Sequence, residues 1–146
     1  MTIFDPADLF SLAQSLLGST DTEASHRTII GRVYYSCHLT ARDQMYGIDG
    51  IGLTKSVKRK LGTNGDHEAV IRAIPTVMRV TQSKAKRLAD QLGQLREMRE
   101  SADYLLDSGG TQMTSVFAKH KVSSWLDLAK AAMALGSNLL PELRRL

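Results

Sequence analysis

Two short segments hold the side chains that could grip a phosphate or move a proton. The first, GRVYYSCHLTAR, carries Arg32 and His38, and the second, LREMRESADY, carries Arg99 and Asp103. A histidine titrates near neutral pH and can give or take a proton. A guanidinium can hold a phosphate and neutralise charge that develops in a transition state. These residue types suit acid–base chemistry at a phosphate.

Helices are expected to position both segments. Hydrophobic residues make up 42% of the 146 residues and aromatic residues only 5%, and the leucine- and alanine-rich apolar set favours helix over strand. Apolar residues recur at the i, i+3, i+4, i+7 spacing of amphipathic helices. The sequence therefore predicts an all-α fold, an up-and-down bundle of four to five helices. The expected helices span residues 5–18, about 21–46, 66–74, 83–107 and about 123–140.

Local signals set several helix ends. Thr20 and Glu23 have the spacing of a capping box at the start of the second helix. Pro75 is expected to end or kink the third helix, and Pro141 to break the last one. A basic tail, ELRRL, follows that break.

The second helix separates its two candidate catalytic residues. Arg32 and His38 have five residues between them, which places them about 120° apart around a regular helix. They do not share a face of one straight helix, so convergence requires a pair of protomers or a local bulge. Tyr34 and Cys37 follow the apolar stripe and are expected in the core. Tyr35 lies on the same side as Arg32.

Composition narrows the class of protein. The length fits one domain, residues 1–146. The net charge of +4 is compatible with nucleic acid, an anionic nucleotide, an acidic partner protein or simply a solvated surface, and it identifies none of them. Cys37 is the one cysteine, so no intramolecular disulfide can form. We find no secretory leader and no apolar run of about 18–20 residues, and we expect a cytoplasmic protein. No cluster has metal-ligand spacing, and no cofactor is expected.

Taken together, the two segments resemble the HEPN domain (higher eukaryotes and prokaryotes nucleotide-binding), above all small stand-alone prokaryotic HEPN proteins. Those proteins typically carry Arg-Ala-Tyr-Tyr-Ala running to Phe-His, a histidine after a central loop, and then Arg-x-x-Ala-Asp-Tyr. The matching residues here are Arg32, Tyr34, Tyr35, His67, Arg99, Ala102, Asp103 and Tyr104. This chain departs from the pattern in one place, because its histidine is His38 and the family's histidine position holds Leu39.

The resemblance implies a helical homodimer directed at RNA, with Arg32 and His38 as catalytic residues at a cleft between protomers. Many such proteins are metal-independent endoribonucleases that act as toxins or in antiviral defence. Small members are often paired with a nucleotidyltransferase antitoxin, and others have lost catalysis and only bind nucleotides or proteins. The partner implied for this chain is such an antitoxin or another defence protein. The supporting residues implied for this site are Tyr35, His67, Arg99, Asp103 and Tyr104.

A glycine-rich basic loop at about residues 47–65 is the expected RNA-backbone contact. Its cations are Lys55, Lys58, Arg59 and Lys60, and phosphate contacts of this kind weaken with salt. The plainer interpretation is a solvated basic loop.

Plainer structural interpretations also exist for the site residues. His38 could hydrogen-bond Tyr34 or Arg42, and Arg32 could pair with Asp103. Arg99 and Asp103 can pair within their own helix. His67 could simply expose its ring at the start of a helix. Tyr104 is expected against the second helix, and the two histidines outside the motifs, His26 and His120, are expected at the surface.

Two further functions remain open. In one, the same residues are structural, and a non-catalytic dimer binds a nucleotide or a partner protein. The displaced histidine favours this binding module. In the other, the chain is a structural subunit of an RNA-guided defence complex and docks on RNA through its basic loop.

Overall fold

The computed structural model describes residues 4–47, 66–77, 80–104 and 111–146. Within these ranges it has no strand, which confirms the all-α prediction. It also has one helix more than the upper end of the predicted number. The helices are α1 (Ala7–Ser19), α2 (Glu23–Gly47), α3 (Asp66–Ala73) with a 3-10 turn at Ile74–Thr76, α4 (Gln82–Tyr104), α5 (Thr111–Lys119) and α6 (Trp125–Leu143).

Helix α2 is the central element of the bundle. It packs against α1, α3, α4 and α6. The predicted apolar stripe is fully buried, and so is Ile29, which lies off that stripe. The contacts of α2 within one protomer therefore bury Ile29 as well as the stripe. The buried stripe consists of Ile30, Val33, Tyr34, Cys37 and Ala41.

The start of α2 is capped two residues later than the sequence predicted. The Ser25 backbone N–H donates to Thr22 Oγ1 at 3.1 Å, and the Thr22 N–H donates to Ser25 Oγ at 3.1 Å. This reciprocal pair satisfies backbone donors at the helix start in the way expected of Thr20 and Glu23. The capping box was thus the right kind of signal, assigned to the wrong pair.

Helix α6 continues through Pro141, contrary to the prediction of a break there. Proline removes one backbone donor, but it lies close to the end of the helix, at Leu143. Leu143 and Leu146 are both fully buried. Burial of these leucines stabilises the last turn against the loss of one hydrogen bond, and the expected basic tail is packed at its final residue.

Helix α5 was not predicted. Three consecutive residues, Thr114, Ser115 and Val116, are β-branched or hydroxylated, which lowers the intrinsic helix propensity of this segment. Tertiary packing holds it instead, because the Phe117 ring lies edge-on to Trp125 at 5.3 Å between centroids. The described helices include none that is long and apolar enough to cross a membrane. Apart from Gly47, which ends α2, the predicted basic loop with Lys55, Lys58, Arg59 and Lys60 lies outside the described residues.

Candidate functional site

Two tyrosines and two histidines meet where α2 faces α3. Tyr34, Tyr35 and His38 come from α2, and His67 from the first turn of α3. The Tyr34 hydroxyl shares a 2.6 Å hydrogen bond with His67 Nδ1. The two imidazoles stack with 4.4 Å between ring centroids, and Tyr34 stacks on His38 at 5.6 Å. We call these four residues the imidazole cluster; it places two proton carriers side by side.

Arg99 brings a buried positive charge to this cluster from α4. Its Cζ lies 5.3 Å from the Tyr34 ring centre and 5.7 Å from that of Tyr35. Its Nη1 donates to Asp103 Oδ2 at 3.3 Å, so the predicted pair within one helix is present. Burial opposes the charge and lowers the pKa of Arg99, but the two tyrosines and Asp103 outweigh burial and raise it above its ordinary value. The guanidinium therefore stays charged.

An open groove runs between α2 and α4 beside the cluster. It has a volume of about 350 Å³. Its polar lining comes from Arg27, Thr28, Arg32, Tyr35 and Asp103. We call it the α2–α4 groove. Two guanidiniums and a phenol on one concave surface form a donor set that suits the oxygens of a phosphate.

Arg27 is a groove residue that the sequence interpretation missed. Its Cζ lies 4.2 Å above the Trp125 ring, and its Nη1 donates to the Ala102 carbonyl oxygen at 3.2 Å. Its Nε is buried and has no hydrogen-bond partner among the described residues. The spacing of Arg27, Gly31 and Tyr35 at i, i+4 and i+8 puts them along one line of α2, and that spacing was the available signal.

Within one protomer, Arg32 and His38 do not line one cavity in the described residues. Arg32 is exposed in the α2–α4 groove, whereas His38 is only 2% exposed in the imidazole cluster. Tyr35 separates them: it lines the groove on one side, and its ring lies 6.4 Å from that of His38 on the other. This agrees with the 120° separation expected on a straight helix. Convergence of the two residues across a dimer stays a prediction.

Several expectations about individual side chains were wrong. Tyr104 was expected against α2 but is 71% exposed, at the last residue of α4. His67 does begin a helix, yet its ring is half-buried in the cluster and not exposed. His26 is 7% exposed, with Nε2 3.2 Å from Asp21 Oδ1, and His120 is half-buried. Neither of these last two is a surface residue.

Arg32 makes no ion pair with Asp103 in the described structure. The carboxylate is held by Arg99 instead, which leaves the exposed Arg32 guanidinium available to a ligand. The salt bridge that the structural interpretation expected between Arg32 and Asp103 is therefore not present.

The structure also bears on two other kinds of site, a reactive thiol at Cys37 and a metal centre. Burial raises the pKa of the Cys37 thiol to about 12. The thiol is therefore protonated near neutral pH and is a poor nucleophile. Over the same residues, no group of three His, Cys, Asp or Glu side chains is placed to hold a metal ion.

Comparisons with protein-family models, curated proteins and solved structures find no match to this chain. The chain's own structure shows an all-α fold over the residues that it describes. The groove, the imidazole cluster and the two motif segments are the basis for any statement about function.

Proposed function

We propose that this chain is a HEPN-type, RNA-directed protein whose α2–α4 groove binds backbone phosphates. One observation carries the proposal: the exposed Arg32 and the anchored Arg27 line the same open groove as Tyr35. Phosphate contacts position a nucleic acid without reading its sequence. The phenol of Tyr35 adds a hydrogen-bond donor to the same groove.

The neighbouring charges support an anion in this groove. Arg27 is held in place by the Trp125 ring and the Ala102 carbonyl, so little side-chain freedom is lost when it binds. Asp103 would repel a phosphate, but its carboxylate is engaged by Arg99 at 3.3 Å. The groove therefore offers an anchored cation that already faces Glu23 Oε1 at 3.7 Å, an exposed cation with no ion pair among the described residues, and a carboxylate engaged by Arg99.

Binding is tested with a short single-stranded RNA in filter-binding titrations at several salt concentrations. We expect Arg32→Ala to weaken binding about tenfold and to reduce the salt slope by about one. Arg145→Ala removes the same charge from an exposed site outside the groove, and it should change affinity by less than about twofold. Equal losses in the two variants would mean diffuse charge attraction and would reject the groove.

Metal-independent cleavage is the first candidate activity for the bound RNA. The stacked His38 and His67 rings, 4.4 Å apart, are the observation that favours it, since transesterification through a 2′-hydroxyl needs a proton acceptor and a proton donor. In this scheme Arg32 holds the phosphate, His38 moves the proton, and the product ends in a cyclic phosphate. Such an activity fits a toxin or defence effector restrained by a nucleotidyltransferase or another protein.

The non-catalytic binding module is the second candidate, and the burial of His38 favours it. A ring that is 2% exposed in the protomer reaches a substrate only if a second protomer or a movement of the cluster opens it. In this case the imidazole cluster stabilises the helices, and the dimer binds RNA, a nucleotide or a partner protein without cutting anything.

Incubation of folded protein with total RNA in EDTA separates these two candidates. A catalytic site predicts cyclic-phosphate products from the wild type and none from His38→Ala or Arg32→Ala, each checked for folding by its melting curve. Binding of RNA without any cleavage would support the non-catalytic binding module. Cleavage by both variants at the wild-type rate would show that the activity lies at other residues or in a contaminant.

A further inference from the structure

The α2–α4 groove contains a carboxylate that phosphate binding alone does not explain. Asp103 lines the groove together with Arg27 and Arg32. Its side chain is 42% exposed, in the last turn of α4. A carboxylate repels a phosphate at close range, so its position beside two guanidiniums weakens the binding of the ligand that they suit. A groove that binds phosphate gains from this carboxylate only if another group of the ligand donates a hydrogen bond to it.

The ion pair with Arg99 accounts for only one of the two oxygens of Asp103. Arg99 Nη1 donates to Oδ2 at 3.3 Å, and Oδ1 has no hydrogen-bond donor among the described residues. Arg99 also has a second carboxylate nearby, because its Nη2 lies 3.9 Å from Glu100 Oε1. Glu100 does not line the groove. The charge of Arg99 therefore explains a nearby carboxylate, but not one that lines the groove with an oxygen left over.

The fold already uses the other acceptors of the groove, and its guanidiniums carry donors only. The Thr28 hydroxyl donates to the Ala24 carbonyl oxygen at 2.8 Å. The Ala102 carbonyl oxygen accepts from Arg27 at 3.2 Å. Among the residues that line the groove, Asp103 Oδ1 is therefore the charged acceptor that a ligand can use.

The ribose 2′-hydroxyl is the donor that suits this single oxygen. It lies on the carbon next to the one that bears the 3′-phosphate ester, so a group beside a bound phosphate meets it first. It is also the group by which a protein distinguishes RNA from DNA. Guanine suits a carboxylate as well, but it presents two adjacent N–H donors that match two oxygens. Asp103 offers one, since Arg99 holds the other.

We propose that Asp103 is the specificity-determining residue of the α2–α4 groove, where its Oδ1 accepts a hydrogen bond from a ribose 2′-hydroxyl. Arg27 and Arg32 bind the adjacent phosphate, and Arg99 holds the carboxylate in place. DNA meets the repulsion of the carboxylate without gaining the hydrogen bond, so the groove selects RNA. This inference rests on the proposed binding of backbone phosphates and adds the sugar that the groove selects.

Filter-binding titrations test the selection with three strands of one uracil-free base sequence: a ribo strand, its 2′-fluoro analogue and a deoxy strand. The 2′-fluoro strand keeps the sugar pucker of ribose but has no donor at the 2′ position. We expect the wild type to bind the ribo strand about tenfold more tightly than either of the others, the low end for a hydrogen bond to a charged group. A denaturing gel checks that the RNA is intact after the titration. Equal binding of the ribo and 2′-fluoro strands would overturn the proposal.

Asp103→Ala removes the acceptor and the repulsion together. The 2′-fluoro and deoxy strands should bind this variant at least as tightly as they bind the wild type. The advantage of the ribo strand should fall to within about twofold. A purely structural role of Asp103 predicts a different result, in which all three strands bind more weakly and their ratio stays at the wild-type value. That result would refute the contact with the hydroxyl.

Glu100→Ala is the matched control. It removes the same charge from the same helix, at a carboxylate that also faces Arg99, is 45% exposed and does not line the groove. This variant should keep the full advantage of the ribo strand. Loss of that advantage in Glu100→Ala would show that net charge near Arg99, and not a contact with Asp103, sets the ratio.

Asp103→Asn keeps the test decisive if Asp103→Ala does not fold. Its amide oxygen can still accept from Arg99, while an NH2 donor replaces the second carboxylate oxygen. The advantage of the ribo strand should fall in this variant too, and an advantage of wild-type size in the folded protein would contradict the proposal.

The ratio between strands is measured separately from the affinity loss expected of Arg32→Ala. If Arg32→Ala weakens binding but the ribo strand has no advantage, the role of Asp103 is wrong and the groove stands. If Arg32→Ala binds RNA as the wild type does, the groove is wrong and the role of Asp103 falls with it.

Discussion

At the scale of single residues, the hydrogen bond between Tyr34 and His67 links α2 to α3. Its 2.6 Å length and the full burial of Tyr34 predict that Tyr34→Phe lowers the free energy of unfolding by about 1–2 kcal/mol, because His67 loses a buried partner. Denaturant titration measures the loss. Tyr35→Phe is the matched control: no described group binds the Tyr35 hydroxyl, and we expect a change within about 0.5 kcal/mol. Equal losses in the two variants would show that the Tyr34–His67 hydrogen bond does not stabilise the fold.

The Cys37 thiol gives a second test at this scale. With its pKa raised to about 12 by burial, the folded thiol has almost no thiolate at pH 8, and iodoacetamide should leave it unmodified. In guanidinium chloride the same thiol returns to an ordinary pKa of about 8.5 and should react. Mass spectrometry counts the added groups. Rapid labelling of the folded protein would contradict the burial of this side chain.

At the scale of elements, α6 lies close against α2 at Gly136. A Cβ at this position would lie 2.5 Å from Val33 Cγ1 and 3.3 Å from the Phe10 ring. We expect Gly136→Ala to destabilise the bundle by about 1–3 kcal/mol, the usual cost of overpacking, even though alanine favours helix. Gly93→Ala meets nothing within 4 Å and should stabilise by up to about 1 kcal/mol. Thermal melting compares the two, and a stable Gly136→Ala would refute the close approach.

The elements also show how far periodicity predicts structure. The stripe of α2 was predicted correctly because a 3.6-residue repeat of apolar side chains specifies a buried helix face without reference to its partners. Helix α5 was missed, since its stability depends on Phe117 meeting Trp125, which local sequence does not encode. The predicted break at Pro141 was wrong for a related reason. Burial of Leu143 and Leu146 is a tertiary effect that overrides a local helix breaker.

The candidate site also has some features that the sequence predicts and others that depend on tertiary packing. The Arg99–Asp103 pair and the angular separation of Arg32 from His38 follow from spacing on one helix, and both are present. The anchoring of Arg27 on Trp125, and the choice of Arg99 over Arg32 as partner of Asp103, depend on how separate helices meet. The exposure of Tyr104 likewise depends on tertiary packing.

At the scale of the whole molecule, an ion pair joins the start of α4 to the end of α6. Lys84 Nζ lies 2.6 Å from Glu142 Oε2, and the hydrogen bond from Lys84 is the main cause that lowers the pKa of Glu142. A carboxyl whose pKa is lower in the folded state stabilises the fold above its unfolded pKa, and this contribution is lost as the pH falls through the folded pKa.

The consequence is a pH-dependent difference between the wild type and Glu142→Gln. We expect the variant to melt at a lower temperature than the wild type at pH 7, with the gap closing as the pH falls below about 4, near the ordinary pKa of glutamate. Calorimetry at several pH values measures it. A gap that stays constant down to pH 2 would show that the carboxylate charge is not the source of the stabilisation.

The chain has one tryptophan, Trp125, and Arg27 of the α2–α4 groove lies 4.2 Å above its ring. The indole is 5% exposed, so bulk quenchers have little access to it. An anion that binds beside the guanidinium changes the electric field at the indole. The protein's own ultraviolet emission is therefore an unlabelled optical reporter of groove occupancy, suitable for stopped-flow measurement of how fast a ligand arrives and leaves.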